Sequence, residues 1–142
     1  MKLVDVNLLI YAANARAPKH DAARAWLNRT LSASETVALP WAVLLAFARI
    51  TTNAKIMDPP LAASAALGYV EGWLALECVT VPAPTNRHVA TLRDLLDATG
   101  VGGNLVSDAH LAALAIEHGA TLCSCDSDFA RFPGLDWIDP IA

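Results

Sequence analysis

Four aspartates stand where carboxylates from different parts of the chain can meet, and they are the strongest chemical signal in the sequence. Asp5 follows a short apolar run, Asp108 follows a glycine-rich segment, and Asp126 and Asp128 follow a later apolar run. Carboxylates gathered at one place repel each other unless a cation lies between them. Oxygen ligands favour a hard ion such as Mg²⁺ or Mn²⁺, and such an ion stabilises charge on a phosphate and lowers the pKa of bound water.

Each acid also has an ordinary structural role open to it. Asp108 near a helix start would complement the helix dipole, a contribution of about 0.3–1 kcal/mol. Asp126 and Asp128 would cap a short helical turn, and Asp128 in particular stands at a turn position. Asp5 differs, because an acid inside the apolar run at residues 2–6 is costly when it is buried without a partner. The residues alone leave both roles open for Asp108 and Asp126 and favour a functional role for Asp5.

Apolar runs alternate with amphipathic segments, and this alternation predicts the elements that position the acids. The predicted strands are residues 2–6, 36–39, 78–81, 121–125 and 135–138. The predicted helices are residues 7–13, a segment behind Pro18 as first-turn residue, and residues 40–52, 61–76, 85–99 and 104–118. Residues 100–103 are predicted as a glycine loop, Asn104 as a helix cap and Gly119 as a helix end.

Short strands separated by helices predict an α/β sandwich with a mostly parallel central sheet, in a single domain of residues 1–142. In an open parallel sheet, ligands bind outside the carboxyl ends of the strands. Asp5 lies at the carboxyl end of the first predicted strand and Asp126 lies just past the end of the fourth, so we expect both at that edge, with Asp108 close by.

Composition narrows the class of protein. The 142 residues are 55% hydrophobic and 17% charged, which excludes a disordered chain. A net charge of −4 excludes binding to nucleic acid through a uniformly basic surface. The longest apolar run, residues 41–48, is too short to span a bilayer, so we expect a cytoplasmic protein with no membrane segment. Three cysteines without a CxxC pair argue against zinc and against a disulfide framework.

The chain also resembles a known family in several short motifs. Residues 4–10 (VDVNLLI) are similar to the opening motif of PIN-domain ribonucleases, residues 107–115 (SDAHLAALA) resemble their third motif, and residues 123–129 (CSCDSDF) resemble their last. The predicted helix at residues 40–52, which contains Phe-Ala-Arg-Ile, matches the second-motif helix in position. Motif order, spacing and chain length resemble single-domain toxins of the VapC type over essentially the whole chain.

The resemblance implies a PIN-like α/β/α sandwich and a Mg²⁺- or Mn²⁺-dependent endoribonuclease, the toxin of a type II toxin–antitoxin system. Clustered aspartates would hold the metal that activates water for hydrolysis of RNA phosphodiester bonds. Asp5 and Asp108 match the metal-binding acids and Asp126 matches a more variable fourth acid, so these three are the expected catalytic and metal-binding residues. Asn7 matches a polar position that orients the first acid or its water. The implied partners are RNA, a VapB-type antitoxin and a second copy of the chain.

One position departs from the family pattern. Many members carry a glutamate three residues before the Phe-Ala-Arg segment, and that position falls on Leu44 here, in a stretch, residues 41–48, that has no acid. Metal affinity rises with the number of charged ligands. We therefore expect one firmly bound ion, with a second bound weakly or only with substrate; a weak nuclease is the alternative. A subgroup of similar toxins also lacks this acid.

Two other functions stay open. A PIN-like scaffold that binds RNA or a partner without cutting differs from a nuclease only in failing to cleave bulk RNA with Mg²⁺. An unrelated phosphotransfer or phosphatase domain could use Asp5, but residues 5–7 lack the second Asp of a DxD motif. The glycine cluster at residues 100–103 is followed by Asn-Leu and has no lysine, so it does not form a GxxxxGK[ST] phosphate-binding motif.

Contacts to RNA and to a partner have weaker signals. Arg49 is the best candidate for a phosphate contact, because a charge on an otherwise apolar helix is costly without a partner; a salt bridge to an acid of the site is the alternative. The apolar composition, with Trp26, Trp41 and Trp73, predicts surface that a small partner covers.

Overall fold

A five-stranded parallel sheet forms the centre of the computed structural model, which describes residues 1–100 and 102–142. Its strands are β1 (Lys2–Val4), β2 (Val37–Ala38), β3 (Val79–Thr80), β4 (Thr121–Cys123) and β5 (Trp137–Ile138). They lie in the order β3-β2-β1-β4-β5, and every neighbouring pair is parallel. In this register Leu3 of β1 stands between Ala38 and Leu122. The predicted α/β fold with a mostly parallel sheet is confirmed.

Six α-helices in the described residues connect the strands. They are α1 (Val6–Ala13), α2 (His20–Ser32), α3 (Trp41–Thr51), α4 (Ala63–Leu74), α5 (His88–Thr99) and α6 (Leu105–His118), and a 3₁₀ helix (Ser127–Arg131) follows β4. Each crossover between parallel strands therefore contains a helix, because parallel strands need a long connection between them. Within the described residues, no helix is both long and apolar enough to cross a membrane.

The central strands β2, β1 and β4 are buried on both faces of the sheet. Successive strand residues point to opposite faces, yet Leu3 and Val4 of β1 and Leu122 and Cys123 of β4 have no exposed surface. Burial of both faces requires helices above and below, which is the arrangement of a parallel α/β sandwich. These strands thus fix the positions of the segments that follow them, and the acids lie in those segments.

Several predicted boundaries shift. Helix α2 begins at His20 with Lys19 at its N-cap, so Pro18 lies before the helix and not in its first turn. Asn104 stands at the N-cap of α6, but its side chain makes no capping hydrogen bond. Gly119 ends α6 as predicted, with φ of 65° in the left-handed region that favours glycine. The predicted glycine loop includes Val101, which lies outside the described residues.

Candidate active site

Asp5 and Asp126 lie at the carboxyl ends of neighbouring strands. Asp5 follows β1 directly and is the N-cap of α1, while Asp126 follows β4 and is the N-cap of the 3₁₀ helix. Strands β1 and β4 are adjacent, and β1 is also where the strand order reverses, since β2 lies on its other side. This topological switch point is where an open α/β sheet forms its ligand crevice.

Asp5 is a buried carboxylate whose oxygens are held by three donors. Its Oδ1 accepts the backbone N–H of Val6 at 2.7 Å, which caps α1. Its Oδ2 accepts the Ser124 hydroxyl at 2.7 Å and the Asn7 amide at 3.2 Å. A buried carboxylate needs such donors to remain in one orientation. The contact from Asn7 agrees with the orienting position that the resemblance implied for it.

Ser124 is a site residue that the sequence analysis missed. Its side chain is fully buried, and its Oγ also accepts the Asn7 amide and the backbone N–H of Asp126, each at 3.0 Å. The hydroxyl therefore joins Asp5 of the first segment to Asp126 of the last one. A serine within the apolar run that ends in Cys125 was the signal available, since a buried hydroxyl needs partners.

Three further carboxylates converge beside Asp5. One oxygen each from Asp108, Asp126 and Asp128 lies within 4.8 Å of the others. Asp108 is in the first turn of α6, as predicted, and Asp128 is in the first turn of the 3₁₀ helix, where its backbone N–H donates to Asp126 at 2.9 Å. Asp126 therefore has the predicted capping role and also belongs to the cluster. Asp128, expected chiefly as a turn residue, contributes a carboxylate as well.

The pKa values of two acids reflect this crowding. The pKa of Asp5 is raised, mainly by burial and further by the charge of Asp126, although the hydrogen bond from Ser124 opposes the shift. The pKa of Asp108 is raised to about 6, mainly by burial and then by the charges of Asp126, Asp5 and Asp128. Asp108 is thus electrostatically coupled to all three of the other acids.

Asp5 and Asp108 lie in the wall of one cleft between α3 and α6. The cleft has a volume of ≈ 520 Å³. Helix α6 contributes Ser107, Asp108 and Leu111, and α3 contributes the opposite, mostly apolar wall, formed by Ala42, Val43, Leu45, Ala46, Arg49 and Ile50. A cleft with an apolar wall and a few convergent polar groups is the usual form of a ligand site.

Leu44 does not face this cleft, so the placement of the family's second-motif glutamate on Leu44 is wrong. The Leu44 side chain is 1% exposed and belongs to the hydrophobic core. Successive helical residues are about 100° apart, and the α3 positions at the cleft include Leu45 and Ala46. Neither position carries an acid. The described residues on the cleft face of α3 therefore bring no carboxylate to the cleft.

The acidic cluster has the donor chemistry that a hard divalent cation requires. Its ligand atoms are carboxylate oxygens, and among residues 1–100 and 102–142 no lysine or arginine pairs with Asp108, Asp126 or Asp128. Uncompensated like charges at this spacing favour a bound cation, and oxygen-only ligands favour Mg²⁺ or Mn²⁺. The residues present therefore fit the metal that the resemblance implied.

Fold and site together define a doubly wound parallel α/β domain with an acidic cluster at its topological switch point. The sequence model of the PIN domain family matches residues 2–135 of this chain. Ribonuclease VapC37 of Mycobacterium tuberculosis is 44% identical over 142 residues, which cover 100% of this chain and 99% of that protein. The chain therefore belongs to the PIN-domain family, as a ribonuclease toxin of the VapC type.

Solved structures share the fold at lower sequence identity. One is VapBC2 from Rickettsia felis, bound to a DNA fragment from its promoter. The match has a TM-score of 0.69 at 20% identity and covers 96% of this chain and 96% of that chain. VapC20 of Mycobacterium tuberculosis, described as a toxin that cleaves the sarcin–ricin loop, has a TM-score of 0.68 at 19% identity, covering 96% of this chain and 99% of that one. Both confirm the PIN-like sandwich.

Proposed function

We propose that this chain, as one domain of residues 1–142, is a Mg²⁺- or Mn²⁺-dependent endoribonuclease that hydrolyses RNA phosphodiester bonds as a toxin of a type II toxin–antitoxin system. The observation that carries the proposal is the convergence of Asp108, Asp126 and Asp128 beside Asp5. Asp5, Asp108 and Asp126 are the proposed metal-binding and catalytic residues, and Asp128 is a further ligand. A divalent ion bound there would offset their charge, stabilise charge on the reacting phosphate and lower the pKa of a water molecule.

The chain's own residues keep the acids in position. Ser124 and Asn7 hold Oδ2 of Asp5, and the α1 N-terminus holds Oδ1, so this carboxylate has one orientation. Asp126 is fixed through its backbone N–H to Ser124 and through its Oδ1 as the cap of the 3₁₀ helix. Fixed ligands of this kind do not need to reorganise when an ion and a substrate bind.

Cleavage of RNA tests the proposal directly. Purified protein is incubated with bulk cellular RNA in Mg²⁺, in Mn²⁺ and in EDTA, next to the variant Asp5→Asn. We expect cleavage by the wild type in either metal, none in EDTA, and loss of activity in Asp5→Asn. RNA that stays intact with the wild-type protein in both metals would contradict the proposal.

The second candidate function is that of a PIN-like protein that binds RNA or a partner without cutting it. RNA binding without cleavage in this experiment would support it. One observation favours this candidate: the described residues of α3 bring no carboxylate to the cleft. The same incubation separates the two functions when RNA binding is measured alongside cleavage.

We also propose a VapB-type antitoxin and a homodimer as protein partners. The support is the solved relative named VapBC2, together with exposed apolar side chains on α3, where Trp41 is 51% and Leu45 61% exposed. Of the three tryptophans expected to form partner surface, Trp26 and Trp73 are buried in the core instead. Co-expression with a VapB-type antitoxin should return a complex and relieve a growth defect, whereas a monomer without toxicity would contradict this part of the proposal.

A further inference from the structure

Arg49 is a positive charge in the wall of the acidic cleft. It lies in the last turn of α3 and lines the same cleft as Asp5 and Asp108. Among the described residues of that lining, it is the one that brings a cation. Its neighbours on this wall, Ala46 and Ile50, are apolar, so the guanidinium is the wall's main polar feature.

Within residues 1–100 and 102–142, the guanidinium of Arg49 has no hydrogen-bond or ion-pair partner. In the described part of the protein, no carboxylate lies within 4.0 Å of it, and it makes no hydrogen bond. The expected alternative, a structural salt bridge to an acid of the site, is therefore absent. The Arg49 side chain is exposed to the cleft, and its donors remain available for an anionic ligand.

We propose that Arg49 binds a backbone phosphate of the RNA substrate next to the acidic cluster, an inference that rests on the proposed nuclease function. A cleft of ≈ 520 Å³ is the size of a site for one small ligand. A nucleotide that reaches Asp5 and Asp108 therefore also meets the α3 wall. Arginine suits this contact, because its planar guanidinium donates two parallel hydrogen bonds to phosphate oxygens.

The position of Arg49 also explains how an acidic protein can hold RNA. With a net charge of −4, the surface as a whole repels a polyanion. A cation inside the cleft attracts phosphate at the place where cleavage is proposed, and the apolar side chains of Leu45 and Ala46 offer contact to a ribose or a base. An acidic protein segment is the other possible ligand, but the four carboxylates of the site lie in or beside the same cleft. The proposed nuclease function places an RNA phosphate beside these carboxylates, because the proposed ion would offset their charge there, and this favours RNA as the ligand of Arg49.

The test compares Arg49→Met, which keeps an unbranched apolar side chain and removes the charge, with Arg49→Lys and with the control Arg29→Met. Arg29 is an exposed arginine in the last turn of α2, which leads to the amino end of β2 and so lies at the opposite end of the sheet from the acids. Binding of a labelled single-stranded RNA of mixed sequence is measured in Ca²⁺ over a range of KCl concentrations. Cleavage of bulk RNA in Mg²⁺ is measured in parallel.

We expect Arg49→Met to weaken RNA binding about tenfold, as loss of one charged hydrogen-bonded contact does. The slope of log Kd against log salt should fall by about 0.7, the value for one phosphate on a single strand. Arg49→Lys should retain the salt slope, and Arg29→Met should match the wild type.

Equal RNA affinity and salt slope for Arg49→Met and wild type, with wild-type cleavage intact, would overturn the role of Arg49 and leave the proposed function standing. Weaker binding of the co-expressed antitoxin by Arg49→Met, with RNA binding unchanged, would assign Arg49 to a protein contact and overturn it too. A wild-type protein that neither binds nor cleaves RNA would overturn both proposals.

Discussion

The hydroxyl of Ser124 lies 2.7 Å from Oδ2 of Asp5 and donates its proton to that carboxylate. Two N–H groups, from the side chain of Asn7 and the backbone of Asp126, point at the same Oγ and occupy its lone pairs. A serine hydroxyl has one proton and two lone pairs, so its capacity is full and its proton can only face Asp5. The four residues form one hydrogen-bonded network, and in the described part of the protein none of its buried side-chain nitrogen or oxygen atoms lacks a partner.

Ser124→Ala should therefore destabilise the protein. The substitution removes a hydrogen bond to a buried carboxylate and leaves two N–H donors without their acceptor, which costs about 1–3 kcal/mol. Urea unfolding measures the loss, with Ser64→Ala as control, because Ser64 is an exposed serine in the first turn of α4. A free energy of unfolding equal to that of Ser64→Ala would show that the network contributes nothing to stability.

Asp108→Asn should stabilise the metal-free protein at neutral pH. The pKa of Asp108 is raised from 3.8 to about 6 by burial and by the neighbouring acids. A carboxyl with a raised folded pKa adds stability that is fully present below 3.8 and is lost as the pH rises through about 6.

In EDTA, well above pH 6, the variant should therefore gain about 1 kcal/mol, a value reduced for solvent screening. The gain should shrink as the pH falls towards 3.8. Thermal unfolding over this pH range checks the prediction, with Asp94→Asn on the exposed face of α5 as control. A gain that does not change with pH would refute the electrostatic explanation.

Ala46→Glu and Leu44→Glu should have opposite effects. Position 46 faces the cleft, so a glutamate there adds a carboxylate within reach of the acidic cluster and should increase stabilisation by Mn²⁺. Position 44 is in the core, where an unpaired carboxylate costs several kcal/mol. Thermal unfolding of both variants with and without Mn²⁺ makes the comparison. A stable Leu44→Glu that responds more strongly to Mn²⁺ than Ala46→Glu would restore the original placement of the second motif.

The order of strands and acids could be predicted from the sequence because it depends on local pattern. An apolar run followed by Asp5, and another followed by Asp126, indicate two strand ends, and a parallel sheet brings such ends to one edge. The face of a helix is harder to predict. Leu44 and Ala46 are two residues apart, and that separation of about 200° distinguishes the core from the cleft on a helix whose residues 41–48 are all apolar.

The contribution of Ser124 depends on contacts over a long sequence separation. Its partners Asp5 and Asn7 are 119 and 117 residues away, and only the pairing of β1 with β4 brings them together. The sequence pattern alone also predicted the strand to continue through Cys125. In the structure β4 ends at Cys123, because the next residues turn to place Ser124 against Asp5 and Asp126 at the start of the 3₁₀ helix.

Calorimetric titration with Mn²⁺ tests the central claim, that these aspartates form a metal site, most directly. Wild type and Asp108→Asn are titrated at a pH above the Asp108 pKa of about 6, so that the carboxylate is ionised. Removing one charged ligand should weaken Mn²⁺ binding at least about tenfold, while Asp94→Asn should bind as the wild type does. Equal Mn²⁺ affinity in wild type and Asp108→Asn would contradict the assignment of the site.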